Sequence, residues 1–218
     1  MSMIKLVSIN VGLPREVVWE GKTVLTGIFK EPVGGIVNLR TLNLDGDGQA
    51  DLSVHGGRDK AVYAYPAEHY DYWRGELSDL ELPWGMFGEN FTTVGLSEDQ
   101  VNIGDRFRIG SSVVMVTQPR MPCYKLGIKF GRESIIKLFL ASGRSGIYFK
   151  VLEEGEVMAG NTIELIDRDK NNVTVADIVR LYAHEKTDPV MLRRAIEVEA
   201  LPESWRDYFQ TRLEKLTR

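Results

Sequence analysis

The side chain best suited to nucleophilic or metal chemistry is Cys123, the only cysteine among 218 residues. It lies in the segment TQPRMPCYKL, residues 117–126. Pro122 suits the first turn of a helix, because its φ is fixed and its missing N–H is not needed there. We therefore expect Cys123 at a helix N-terminus between Arg120 and Lys125, where the helix end and both cations stabilise a thiolate. The alternative is that Cys123 is a small buried side chain of the core.

Positive charge is concentrated around this cysteine. Between residues 119 and 144, six basic residues accompany a single acid, although the formal net charge of the chain is -4. Such a concentration predicts a pocket for a small anion. The alternative is that about half of these side chains only solvate the outer faces of helices. The six are Arg120, Lys125, Lys129, Arg132, Lys137 and Arg144.

A second candidate site is the glycine-rich segment DLSVHGGRDK, residues 51–60. Gly56 and Gly57 let backbone amides approach a ligand closely. Arg58 and Lys60 are cationic donors, and His55 is able to hydrogen-bond a heterocycle or transfer a proton near neutral pH. The alternative is a tight loop between two strands.

Two further segments contain polar groups between glycines. In WGMFGENFT, residues 84–92, Glu89 and Asn90 either fix the polar edge of a ligand or satisfy buried backbone groups, and the structural role is favoured. The segment SGRSGIY, residues 142–148, resembles an anion nest, in which Arg144 would bind a phosphate bidentately.

Several classes of protein are disfavoured by the composition. One cysteine and three scattered histidines give no zinc-binding spacing, and no Gly-x-Ser-x-Gly motif indicates a serine hydrolase. The negative net charge argues against nucleic-acid binding. No apolar run approaches the length needed to cross a bilayer, and no export signal is recognised. We therefore expect a cytoplasmic protein that binds neither membranes nor nucleic acid.

Many short strands with irregular connections predict a mainly β fold with helical insertions, either a barrel or a sandwich. Proline and glycine positions predict two internal helices, at 66–75 and 132–141. The predicted strands are Ile4–Ile9, Val24–Phe29, Val37–Leu42, Ala61–Tyr65, Asp105–Ile109, Ser112–Thr117, Gly146–Leu152 and Thr162–Asp167.

The pattern changes after the polar loop at residues 169–172. Thr174 with Asp177 predicts the start of a helix with a capping box. Asp188-Pro189 predicts the start of a second helix at 190–200, and Pro202 that of a third, ending near Leu216. Two domains are therefore expected, a β-barrel at 1–170 and three helices at 171–218.

Four motifs occur in an order that resembles the MOSC domain family, named after the C-terminal domain of molybdenum-cofactor sulfurase. The predicted helical tail resembles the small C-terminal domain of the bacterial YiiM group in this family. The resemblance extends over nearly the whole chain, and the ordered set is more specific than any single motif. The motifs are HGGRDKAV (55–62), GENF (88–91), IGD (103–105) and PRMPCYKL (119–126).

The resemblance implies a β-barrel that binds the molybdenum cofactor, a pterin with a dithiolene and a phosphate. It implies that Cys123 is catalytic and supplies a thiolate ligand to molybdenum, a role that suits a soft sulfur donor. Arg120, Lys125 and Arg144 would hold the phosphate or balance its charge. His55 would be a second catalytic residue, and the pocket would also include Gly56, Gly57, Arg58, Lys60 and Asn90.

The activity implied by the resemblance is the reduction of N-hydroxylated small molecules such as 6-hydroxylaminopurine, a detoxification of N-hydroxylated bases. Because no flavin, haem or iron–sulfur motif is recognised, an external reductase would have to supply the electrons. The alternative is a carrier of the cofactor or of sulfur that uses Cys123 without turnover of its own. The sequence does not fix the oligomeric state, and a homodimer is one option.

Overall fold

The computed structural model describes residues 3–50, 56–185 and 187–217. An eight-stranded sheet with the order β12-β8-β9-β10-β6-β7-β1-β4 forms its centre, with the pairs β11-β5 and β2-β3 beside it. The strands are β1 (Lys5–Val11), β2 (Arg15–Trp19), β3 (Lys22–Thr26), β4 (Glu31–Val33), β5 (Ile36–Leu39), β6 (Val62–Pro66), β7 (Phe91–Val94), β8 (Arg106–Ile109), β9 (Ser112–Pro119), β10 (Ile147–Glu153), β11 (Gly155–Met158) and β12 (Ile163–Asp167).

In the described parts of the chain, three helices are inserted between the strands and three follow them. Arg58–Lys60 form a single 3-10 turn before β6, and Gly57 before it has a φ of 85°, a conformation that glycine adopts without strain. The helices are α1 (Glu68–Glu76), α2 (Tyr124–Phe130), α3 (Ser134–Ser142), α4 (Val175–Ala183), α5 (Pro189–Ile196) and α6 (Glu203–Leu216). None of the described helices is long and apolar enough to cross a membrane.

All eight predicted strands overlap an observed strand, but several predicted ends are wrong. The strand predicted at 24–29 ends at Thr26, and the one predicted at 37–42 ends at Leu39. The chain turns after Leu39, since the N–H of Arg40 donates to the carbonyl of Asn43 (2.8 Å). The strand expected to end at residue 117 instead continues to Pro119, because β10 pairs with it to the end.

The prediction of a mainly β fold is confirmed, whereas a closed barrel stays a prediction. The ladder order ends at β12 and β4, so strand pairing does not run around a complete ring. Residues beside β12 do reach β1: the N–H of Leu6 donates to Asn161 O, and that of Ile163 donates to Ile4 O, both at 2.9 Å.

The C-terminal helices share a hydrophobic core with the sheet. Val175 and Ile178 of α4, Leu192 of α5 and Phe209 of α6 belong to the same buried cluster as Phe107 and Phe149 of the strands. The predicted capping box is confirmed, with the Thr174 side chain accepting from the N–H of Asp177. The second helix ends at Ile196 instead of Ala200. The division into domains at 170 stays a prediction.

A second buried cluster lies beneath α1, α2 and α3 and is largely aromatic. Tyr65 stacks on Phe87 with ring centroids 4.6 Å apart, and Trp73 lies parallel to Phe139 at 6.1 Å. The indole N–H of Trp73 donates to the Tyr65 hydroxyl (2.7 Å). Rings packed in this way hold their neighbours in fixed orientations. This aromatic cluster therefore forms a rigid base beneath the segment that contains Cys123.

Candidate functional site

A cleft opens beside Cys123, between the end of β9 and the loops around β3 and β6. Its empty volume is about 680 Å³, which includes the opening to solvent. A cleft with several converging polar groups is typical of small-molecule sites. The polar side chains that line it are Thr26, Lys30, Asp47, Gln49, Lys60, Tyr63, Asn90, Arg120, Cys123, Lys125 and Tyr148.

Cys123 lies at the N-cap position of α2 and is partly exposed. Its extended backbone, with φ -134° and ψ 173°, connects the end of β9 to the helix. The predicted helix start at Pro122 is wrong by two residues, since α2 begins at Tyr124 and Pro122 precedes the N-cap. The position of the cysteine at the helix N-terminus is nevertheless as expected.

Arg120 is a buried cation with incomplete hydrogen bonding. Its side chain is only 6% exposed, and its guanidinium lies 5.4 Å from the ring centroid of Tyr63 and 5.2 Å from that of Phe139. Among the described residues, Nη1 of Arg120 has no hydrogen-bond partner. A buried charged donor left in this state is costly. Arg120 therefore places a buried positive charge with an unused donor beside the cleft.

The other cations of the cleft differ in whether a carboxylate neutralises their charge. Lys30 forms a short ion pair with Asp47, which also accepts from the N–H of Gly12 (2.9 Å). Lys125, in the first turn of α2, is only 7% exposed, and none of the carboxylates in the described ranges forms an ion pair with it. Arg120 and Lys125 therefore give the cleft a surplus of buried positive charge.

Lys60 and Arg120 interact electrostatically with Cys123. Burial lowers the pKa of Lys60, while the negative charges of Asp59 and of a Cys123 thiolate oppose this effect. For Arg120, burial also acts to lower the pKa, but negative charge on Tyr63 and on Cys123, among others, keeps that pKa above its usual value. Because such interactions are mutual, both cations stabilise the thiolate form of Cys123.

Asn90 lines the cleft, but its amide is used within the protein. Its Oδ1 accepts from the N–H of Tyr63 (3.1 Å), and its Nδ2 donates to Asp47 Oδ2 (2.9 Å). The neighbouring Glu89 is fully buried and accepts from the N–H groups of Gly85 (2.7 Å) and Phe87 (3.1 Å). These contacts therefore support the role favoured from the sequence, in which Glu89 and Asn90 satisfy buried backbone groups.

The glycine-rich segment contributes Lys60 to the cleft, while the other described members lie outside its lining. His55, the second catalytic candidate, lies outside the described residues. Gly56, Gly57 and Arg58 are not among the lining residues. The N–H of Gly57 instead donates to Gln49 Oε1 (3.0 Å), so Gln49 holds this turn in place.

Arg144 does not line the cleft that contains Cys123. Its guanidinium lies 3.7 Å from the ring centroid of Tyr72 on α1, and its Nη1 donates to Ser142 O (3.2 Å). The backbone N–H groups of this segment are also occupied: that of Arg144 donates to Ser142 Oγ (3.1 Å), and that of Gly146 to Glu98 Oε1 (2.6 Å). Contacts within the protein therefore occupy N–H groups that the predicted anion nest would offer to a phosphate.

Six polar residues of the cleft were not identified from the sequence: Thr26, Lys30, Asp47, Gln49, Tyr63 and Tyr148. Tyr63 and Tyr148 contribute phenol rings whose centroids are 5.2 Å apart, and Lys30 contributes a cation paired to Asp47. Burial raises the pKa of Tyr148, and the nearby charge of Arg120 opposes this increase. No local motif distinguishes these residues, because they come from separate strands and loops that only the fold brings together.

The fold and the cleft together define a sheet-rich protein with a thiol and a surplus of buried cations at one small-molecule site. The chain belongs to the MOSC domain family: the family model named MOSC domain matches residues 51–164. A second model, YiiM-like, 3-alpha helix domain, matches residues 173–216.

The relatives are similar over most of this chain. Uncharacterized protein YflK from Bacillus subtilis is 43% identical over 211 residues, which cover 97% of this chain and 95% of YflK. The crystal structure of YiiM from Geobacillus stearothermophilus superposes with a TM-score of 0.81 at 36% identity, covering 96% of this chain and 99% of that one. A protein named Reductase from Gibberella moniliformis is 33% identical over 168 residues, covering 74% of this chain and 29% of the reductase.

MOSC domains are associated with binding of the molybdenum cofactor. The residues of this cleft fit such a group, because it contains a thiol, a buried guanidinium nitrogen without an acceptor among the described residues, and a buried lysine. A phosphate accepts hydrogen bonds from guanidinium and ammonium groups, and a soft metal binds thiolate sulfur. The donor set therefore agrees with a phosphorylated, sulfur-ligated metal cofactor.

Proposed function

We propose that this protein is a molybdenum-cofactor oxidoreductase that reduces N-hydroxylated small molecules, such as 6-hydroxylaminopurine, with electrons from an external reductase. The observation that carries the proposal is the buried Arg120 guanidinium, whose Nη1 has no partner in the described part of the chain, beside Cys123 and Lys125. The similarity to the Gibberella protein named Reductase supports a redox role.

The residues that would hold the cofactor are those of the cation-rich cleft. Arg120 and Lys125 would bind its phosphate through charge-assisted hydrogen bonds. Cys123 would provide the thiolate ligand for molybdenum. When bound, the cofactor would supply the two-electron redox chemistry that cleaves an N–O bond.

The protein's own contribution is electrostatic and positional. Lys60 and Arg120 stabilise negative charge at the Cys123 sulfur. Burial lowers the pKa of Lys60, whose Nζ would lie beside that sulfur. This ammonium group would donate a proton to the oxygen that leaves the substrate. The rigid aromatic cluster beneath the site keeps these groups in position, which lowers the cost of orienting the reactants.

The test is expression in a host that makes the cofactor, followed by measurement of molybdenum per chain and of turnover. Reduced methyl viologen replaces the external reductase, and 6-hydroxylaminopurine is the substrate. We expect about one molybdenum per chain and conversion to adenine. Cys123→Ser is expected to abolish turnover, because a serine hydroxyl remains protonated and is a poor ligand for a soft metal.

The matched control is Tyr124→Phe, which changes the neighbouring exposed side chain and keeps the sulfur. It is expected to behave as the wild type. Cofactor binding without turnover would instead favour a carrier of the cofactor or of sulfur. Wild-type activity in Cys123→Ser would overturn the assignment of Cys123.

A further inference from the structure

A second cleft also borders Cys123, and the C-terminal helix forms its far wall. It has about 650 Å³ of empty space, including its opening to solvent, and Ser204 and Trp205 of α6 line it together with Gln118 and Tyr148. Cys123, Lys60, Met121 and Tyr148 line both clefts. The two clefts therefore border the same cysteine.

The indole ring of Trp205 is held in a fixed position. Its Nε1 donates to Gln118 Oε1 at 2.8 Å, a contact between residues 87 positions apart in the chain. Behind it, the rings of Tyr182 and Phe209 lie at centroid distances of 5.4 and 5.6 Å. An aromatic side chain ordered in this way binds a ligand at little additional entropic cost.

The chemistry of the second cleft differs from that of the first. Its described lining contains one cation, Lys60, and no carboxylate, whereas Arg120 and Lys125 line the first cleft and not this one. Its lining includes the aromatic residues Trp205 and Tyr148 and the apolar residue Met121. Flat apolar walls of this kind suit a planar, uncharged aromatic ring.

We propose that the second cleft binds the planar heteroaromatic ring of the substrate, with Trp205 as its stacking surface and α6 as its specificity element. The role in turnover rests on the proposed function, but binding of the ring does not require the cofactor. The cation-rich cleft remains available for the phosphorylated group. The C-terminal helices would thus contribute directly to substrate recognition.

The experiment uses the only cysteine as a reporter in the cofactor-free, full-length protein. Iodoacetamide alkylation of Cys123 is followed by intact mass, with 2-aminopurine as the planar probe. We expect 2-aminopurine to slow alkylation saturably. Trp205→Ala is expected to raise the half-protecting concentration about tenfold, the effect of losing one stacking contact. Trp205→Phe, which keeps a ring, is expected to retain most of the protection.

A second variant covers the case in which Trp205→Ala fails to fold. Ser204 is exposed, so Ser204→Trp fills the cleft without changing the core, and it is expected to abolish protection. The matched control is Gln210→Trp, on another face of α6 and outside the lining, which should leave protection unchanged.

The proposal is overturned if 2-aminopurine does not protect Cys123 in the wild type. It is also overturned if Ser204→Trp is protected as well as Gln210→Trp. Protection that depends on Ser204 and Trp205, in a protein that never acquires molybdenum or turns over substrate, would support this binding site. The same result would contradict the proposed function. Failure of the proposed function can therefore be distinguished from failure of this binding site.

Discussion

Replacement of Arg120 by methionine is expected to separate stability from cofactor binding. Arg120 is 6% exposed and has one guanidinium nitrogen without a partner among the described residues. An unsatisfied buried donor costs about 1–3 kcal/mol. Contacts with the rings of Tyr63 and Phe139 recover about 1–2 kcal/mol of this. Arg120→Met should therefore unfold with a free energy between about 1 kcal/mol lower and about 2 kcal/mol higher than that of the wild type.

The same substitution should weaken cofactor retention. Loss of a charge-assisted hydrogen bond of about 1.5–3 kcal/mol corresponds to a reduction in affinity of about 10- to 150-fold. Urea unfolding of the cofactor-free protein measures the first effect, and molybdenum content during dialysis measures the second. An unchanged m-value would show that the unfolding transition remains comparable between the two proteins.

The matched control is Arg144→Met, because Arg144 also lies against an aromatic ring but outside the cleft. It should lose about 0.5–1 kcal/mol of stability with its contact to Tyr72, and it should retain the cofactor as well as the wild type does. The reasoning is refuted if Arg120→Met is destabilised by several kcal/mol yet keeps its molybdenum. In that case Arg120 would be a structural residue with satisfied contacts.

Two further predictions concern the buried groups beneath the site. Glu89→Gln should lower the free energy of unfolding by about 2–3 kcal/mol in urea, because the new amide cannot accept from both backbone N–H groups that the carboxylate binds; an unchanged midpoint would contradict this. Burial raises the pKa of four tyrosines, so the stability they contribute is fully present below about pH 10 and is lost as pH rises towards their folded-state pKa values. In a titration followed at 295 nm these four should ionise only as the chain unfolds; ionisation of more than four of the eight tyrosines with a native circular dichroism spectrum would refute it. The four are Tyr63, Tyr65, Tyr70 and Tyr148.

Local sequence signals predicted most of the secondary structure because their causes are local. The hydroxyl cap at Thr174 and the Asp188-Pro189 pair act within one helical turn, and both start helices in the structure. Four short strands were missed, β2, β4, β7 and β11. For example, β4 has three residues and contains Pro32, so it gives no alternating pattern. The ends of strands were also poorly predicted, because pairing with a distant strand determines where they stop.

The candidate site was predicted only in part, because residues from distant parts of the chain also contribute to it. The positions of Arg120, Cys123 and Lys125 follow from one short segment, and all three line the same cleft. Arg144 was assigned to the site because the segment at residues 142–148 resembles an anion nest. The fold instead directs its guanidinium to Tyr72, because an aromatic face was available on α1.

The sequence by itself determined the family, the cysteine and the cation-rich segment around it, since these are encoded within a few consecutive residues. Only the tertiary structure decided which side chains share a cavity. The pairing of Lys30 with Asp47 and the contact of Trp205 with Gln118 join distant parts of the chain. Such contacts depend on the packing of whole strands and helices, and this packing leaves no signal in the residues that surround either partner.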